Sequence, residues 1–85
     1  MADEQNSKLL VYGTPWCGDT IRARRILDNH QIPYEWIDIN QSSEAAHVVE
    51  KINHGNRSVP TILFPDGSIL VEPSSIELMK KLGLS

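Results

Sequence analysis

Lys8-Leu9-Leu10-Val11-Tyr12-Gly13-Thr14-Pro15-Trp16-Cys17-Gly18-Asp19-Thr20 is the stretch on which the reading of this chain turns. Its first five residues form a nearly continuous apolar run, which suits a strand covered on both faces. Gly13, Thr14 and Pro15 interrupt it. A helix is predicted from about Cys17 to His30, with Ala23, Ile26, Leu27 and His30 at i, i+3, i+4 and i+7. Gln31-Ile32-Pro33 ends it, because proline cannot continue a helix. A strand, a break carrying one cysteine, and a helix thus follow in immediate succession.

The remaining elements follow outward. Tyr34 to Ile39, rich in aromatic and β-branched residues, predicts a second strand. Ser42 and Ser43 are candidate caps for a second helix, with Ala45, Val48, Val49 and Ile52 on its inner face. Asn53 to Asn56 closes that helix. Val59 to Phe64 predicts a third strand with Pro60 near its start. Pro65-Asp66-Gly67-Ser68 is a turn signal, and Ile69-Leu70-Val71 returns as a fourth strand. Ser74 and Glu77 have capping-box spacing at the start of a last helix, for which Ile76, Met79 and Leu82 are the expected inner face. The order β-α-β-α-β-β-α opens with a parallel βαβ unit and closes with an antiparallel hairpin. An α/β fold with a mixed four-stranded sheet and helices on both faces is the simplest closed solution. Met1 to Ser7 is expected to be a flexible polar tail, and residues 8–85 a single domain.

Bulk properties narrow the function. The 85 residues suffice for one domain. A net charge of -3 gives no general attraction to nucleic acid or acidic membranes. No apolar run reaches the ~20 residues needed to cross a bilayer, and the polar N-terminus lacks the apolar stretch of a signal peptide. A cytoplasmic location is the default expectation. The single cysteine cannot form an intrachain disulfide, nor a cysteine-only metal site within one chain. Any disulfide of Cys17 must join it to another molecule.

Cys17 sits where a helix starts. Unpaired backbone N–H groups are expected to point at the sulfur there, and the helix dipole favours negative charge; the thiolate is the nucleophile in disulfide exchange. Thr20, one turn on, is expected to donate its hydroxyl to the sulfur. Asp19 opposes a second negative charge nearby, but is expected to be exposed and screened. The bland alternative is an inert core cysteine. A second signal is Arg57-Ser58-Val59-Pro60-Thr61. Proline at the start of a buried strand removes a ladder donor. A cis bond in a tight turn is one explanation, which would leave the backbone N–H and C=O of Val59 free for an extended ligand; a plain strand-starting proline is the other. Arg22, Arg24 and Arg25 are expected to form a solvated helix face. His30, His47 and His54 lack the spacing of a metal site, so none is assigned.

The cysteine motif after the first strand, the Ser58-Val59-Pro60-Thr61 segment and the element order resemble glutaredoxins of the thioredoxin superfamily, from Lys8 to Leu82. Gly55-Asn56-Arg57-Ser58-Val59-Pro60-Thr61, Phe64-Pro65-Asp66-Gly67-Ser68 and Glu72-Pro73-Ser74 are similar to the mycoredoxin-like branch. The resemblance implies a thioredoxin fold, Cys17 as nucleophile, and Pro60 as a cis-proline facing it. It implies that Val59 contacts the cysteine-like part of a small thiol, with Trp16 and Arg57 flanking that groove. Ser74 is foremost a helix cap, and the same helix start is a candidate for holding a ligand carboxylate.

The chain departs from the family pattern at Thr20, where many members have a second cysteine. Asp19 and Thr20 also differ from the Cys-Gly-Phe-Ser of cluster-carrying members. Val71-Glu72-Pro73-Ser74-Ser75 replaces the Gly-Gly-x-Asp segment that grips glutathione, and Glu72 is a poor partner for a glutathione carboxylate. The expected activity is monothiol exchange on mixed disulfides between proteins and a small thiol, glutathione or mycothiol, by a monomer with no tightly bound cofactor. Two alternatives are a [2Fe–2S] carrier, formed as a thiol-bridged dimer, and a non-catalytic thioredoxin-like binding module.

Overall fold

The computed structural model describes residues 8–84. The expected tail, Met1 to Ser7, lies outside them. The elements are β1 (Leu9–Gly13), α1 (Gly18–Asn29), β2 (Tyr34–Asp38), α2 (Ser43–Ile52), β3 (Thr61–Leu63), β4 (Ile69–Val71) and α3 (Ser75–Leu82). They form a mixed four-stranded sheet in the order β2-β1-β3-β4. β1 runs parallel to β2 and antiparallel to β3, with Val11 opposite both Trp36 and Ile62. β3 and β4 form the antiparallel hairpin. Gly67 closes its turn at φ 90°, a left-handed backbone that glycine adopts without cost.

Alternation along β1 splits the core into two layers. Leu9 and Val11 point to one face and join Ala23 and Leu27 of α1, Ile62, Phe64, and Leu78 of α3. Tyr12 points to the other and joins Ile39 with Ala45, Ala46 and Val49 of α2. Helices therefore cover both faces of a sheet whose central strand, β1, ends directly beneath the cysteine loop.

Three inner-face assignments shift. In α3, Ile76 is exposed while Leu78 is fully buried. The capping box formed by Ser74 and Glu77 fixes where the helix starts, and that start turns Leu78 rather than Ile76 toward the sheet. His30 and Val48 are likewise exposed, while Ala46 packs inward. β3 is shorter than expected: pairing begins only at Thr61, after the cis Val59–Pro60 bond.

Candidate active site

Cys17 is the N-cap of α1, with extended backbone (φ -75°, ψ 124°). Its carbonyl accepts from Ile21 N at 2.9 Å, the first bond of the helix. The amides of Gly18, Asp19 and Thr20 open the helix without intrahelical acceptors. Cys17 itself is partly exposed and is a free thiol.

The sulfur does not cap the helix: no first-turn amide donates to it. The expectation that those amides gather around the sulfur is corrected in this respect. The thiol instead points across the cleft and donates to the Val59 carbonyl at 3.8 Å, a long, weak contact. A thiolate has no proton to donate, so ionisation breaks this contact and releases the Val59 carbonyl.

The opposing loop is held from behind. The Val59–Pro60 bond is cis, and Pro60 is buried. Thr61, fully buried, donates its hydroxyl to the Ser58 carbonyl at 2.7 Å and accepts from Asn53 Nδ2 at 3.2 Å. Glu72 N donates to the Pro60 carbonyl at 2.8 Å, with Glu72 in left-handed backbone at φ 49°. Among the described residues the Val59 N–H has no hydrogen-bond partner. Val59 therefore presents its backbone carbonyl to Cys17.

The other expected site residues divide. Trp16, 71% exposed, stands in solvent next to Cys17 rather than over the core. Arg57 is exposed and donates from Nε to Glu50 Oε2 at 2.7 Å, which fastens the loop to the last turn of α2. Its hydrogen bond holds the Glu50 carboxyl below the ordinary glutamate range. Ser74 spends its hydroxyl on capping: Oγ accepts from Glu77 N at 3.1 Å, and Glu77 returns a bond to Ser74 N.

Thr20 is the clear departure. It is fully buried, and its hydroxyl has no partner, so the expected bond to the sulfur is absent. The residue faces Gly13 at the end of β1: a Cβ built there would lie 2.8 Å from both Thr20 Oγ1 and Cγ2. One helical turn brings Thr20 under the N-terminus of α1, onto the sheet, instead of beside the thiol.

Charges around the thiol are compensated locally. Asp19 pairs with Arg22 at 3.0 Å, so its carboxylate does not stand alone beside the sulfur. Arg22 also donates to the Pro73 carbonyl at 3.4 Å, linking α1 to the loop before α3. Arg24 lies over the Trp36 ring at 4.0 Å. Arg22 and Arg24 are thus engaged, while Arg25 is exposed as expected of a solvated helix face. Among the described residues no group of three or more His, Cys, Asp or Glu is placed to hold a metal, and no helix is long and apolar enough to cross a membrane.

Sequence reasoning passed over Glu50, Asn53 and the hydroxyl of Thr61. Threonine directly after the proline was a usable signal for the last. Glu50 and Asn53 reach the loop only through the tertiary fold.

Comparison with known proteins gives the family of this chain. The glutaredoxin family model matches residues 9–69. "Putative glutaredoxin Rv3198A" of Mycobacterium tuberculosis is 43% identical over 74 residues, covering 87% of this chain and 88% of that protein. Mycoredoxin 1 of Corynebacterium glutamicum is 34% identical over 76 residues, covering 89% and 94%. Among solved structures, a glutaredoxin from Archaeoglobus fulgidus superposes with a TM-score of 0.72 at 22% identity, covering 96% of this chain and 92% of that one, a likeness of fold. The chain belongs to the glutaredoxin family.

Proposed function

We propose that this protein exchanges small thiols by a single-cysteine route. The Cys17 thiolate attacks the small-thiol sulfur of a protein mixed disulfide. The new S–S bond forms as the old one breaks, and the electron pair leaves on the protein thiolate, which takes a proton from solvent. A second small thiol, deprotonated, then attacks the Cys17 adduct. It departs as the small-molecule disulfide, and the Cys17 thiolate is regained. No second cysteine exists to resolve the adduct internally.

The observation that carries this reading is the partly exposed Cys17 sulfur at the opening of α1, 3.8 Å from the Val59 carbonyl. The backbone of Val59 offers one acceptor and one donor, matching the amide groups that flank the cysteine of a peptide-like thiol. Trp16 and Arg57 border that groove, and Pro60 shapes its floor. Kinship with Mycoredoxin 1 supports mycothiol as the co-substrate and kinship with glutaredoxins at large supports glutathione. The partners would be S-thiolated or disulfide-bearing proteins, met by a monomer in a reducing cytoplasm.

The test is a rate assay on one carrier protein loaded in turn with different small thiols, with the matching free thiol as reductant. Dethiolation by the native chain and none by Cys17→Ser is the expected result. Equal rates for the two chains, with every thiol tried, would overturn the reading.

A further inference from the structure

We propose that Glu50 sets which small thiols the site accepts, by holding Arg57 and so removing a cation that would otherwise draw carboxylate-bearing thiols to Cys17. The proposal rests on the exchange reading above and concerns its substrate class: thiols carrying little or no negative charge.

Arg57 lies two residues before Val59, no more than about 7 Å along an extended chain. It is the cation of the loop that faces the sulfur. Its Nε is 2.7 Å from Glu50 Oε2, and that hydrogen bond holds the Glu50 carboxyl below its ordinary range. The pair is not explained by stability: the arginine side chain is 58% exposed, and exposed ion pairs stabilise a fold little. Its consequence is electrostatic. Arg22, on the other side of the cleft, is met in the same way by Asp19. An incoming carboxylate therefore encounters arginines already compensated, and must displace Glu50 to gain a direct bond with Arg57.

The measurement is the second-order rate of Cys17 adduct formation, read by intact mass, with two probes. Hydroxyethyl disulfide is uncharged, and dithiodipropionate carries two carboxylates. In each reaction Cys17 forms a mixed disulfide with half of the probe, and the other half leaves as its thiolate. Glu50→Gln is expected to raise the dithiodipropionate rate relative to hydroxyethyl disulfide by about two- to five-fold at low salt. The gain should vanish near ~1 M salt, where the Debye length is about 3 Å. It should shrink when Arg57→Gln is added. An unmoved ratio in Glu50→Gln, or a full-sized gain in the double variant, overturns the proposal while leaving exchange intact. A native chain that reacts with neither probe overturns both.

Discussion

Asn53 Nδ2 donates to Thr61 Oγ1 across 3.2 Å, joining the end of α2 to the first residue of β3. The same hydroxyl donates to the Ser58 carbonyl at 2.7 Å, and the same amide nitrogen donates to the Val49 carbonyl at 2.9 Å. Thr61 is fully buried, so water does not substitute for either bond. Thr61→Val keeps the volume but strands the Ser58 carbonyl and one Asn53 proton. A loss of about 1–3 kcal/mol is expected in urea unfolding. The Cys17 alkylation rate should change as well, since the loop that carries Val59 loses its rear support. A stability loss with no kinetic change would show that the network braces the sheet without placing Val59.

Thr20 gives the opposite sign. Its hydroxyl is sealed from solvent without a partner, a state that disfavours folding. Thr20→Val removes that hydroxyl and retains the shape. It is expected to stabilise the fold by about 1 kcal/mol, or roughly 4–8 °C in Tm for a domain of this size. Because the hydroxyl does not reach the sulfur, thiol alkylation kinetics should stay within about two-fold of the native rate, well short of the ~1.4 kcal/mol that a tenfold change represents. A large fall in reactivity would restore the sulfur bond expected from sequence alone.

Gly13 is the other half of that contact. A Cβ there would stand 2.8 Å from two Thr20 atoms and 3.2 Å from Trp36 Cζ3. Thr20 belongs to the first turn of α1 and cannot withdraw without moving the helix that presents Cys17. Gly13→Ala should therefore cost about 1–3 kcal/mol through overpacking. Tryptophan fluorescence during unfolding provides the readout, with Trp36 as the packed reporter and Trp16 the exposed one. Combining it with Thr20→Ser, which deletes the crowded methyl, should recover part of the loss.

How far the sequence speaks depends on whether a feature is local. The order of elements, the Ser42 and Ser74 caps and the cysteine at a helix start are each set by neighbours within a few residues, and each is found; the cis Val59–Pro60 bond, also found, is implied chiefly by the family resemblance. Ile76 fails because rotational phase in a helix of eight residues depends on its cap rather than on hydrophobic spacing. Thr20 fails for a similar reason. One helical turn from Cys17 implies one side of the helix, but the N-cap side chain points to Val59 while the residue three on faces the sheet. The Glu50–Arg57 pair and the Asn53–Thr61 bond join segments seven and eight residues apart across a turn, and no periodicity encodes them.

Asp66 ties the β3–β4 turn to α3 and makes stability sensitive to acid. Its carboxylate accepts from the Ser68 hydroxyl and backbone amide, and pairs with Lys81 at 3.1 Å. The Ser68 bonds, with Lys81 adding to them, hold its pKa down to about 2, against 3.8 when free. Between those values the unfolded chain binds more protons at this position than the folded one, so stability rises with pH across the interval. The contribution is complete above about pH 5 and is lost as pH falls through about 2. Glu50, lowered by Arg57, acts in the same direction. The urea midpoint should therefore fall as pH drops from about 5 toward 2. In Asp66→Asn the slope over this range should flatten while the midpoint near neutrality drops, because the amide cannot replace the pairing with Lys81. An unchanged slope would mean that the turn keeps the same contacts in the unfolded chain.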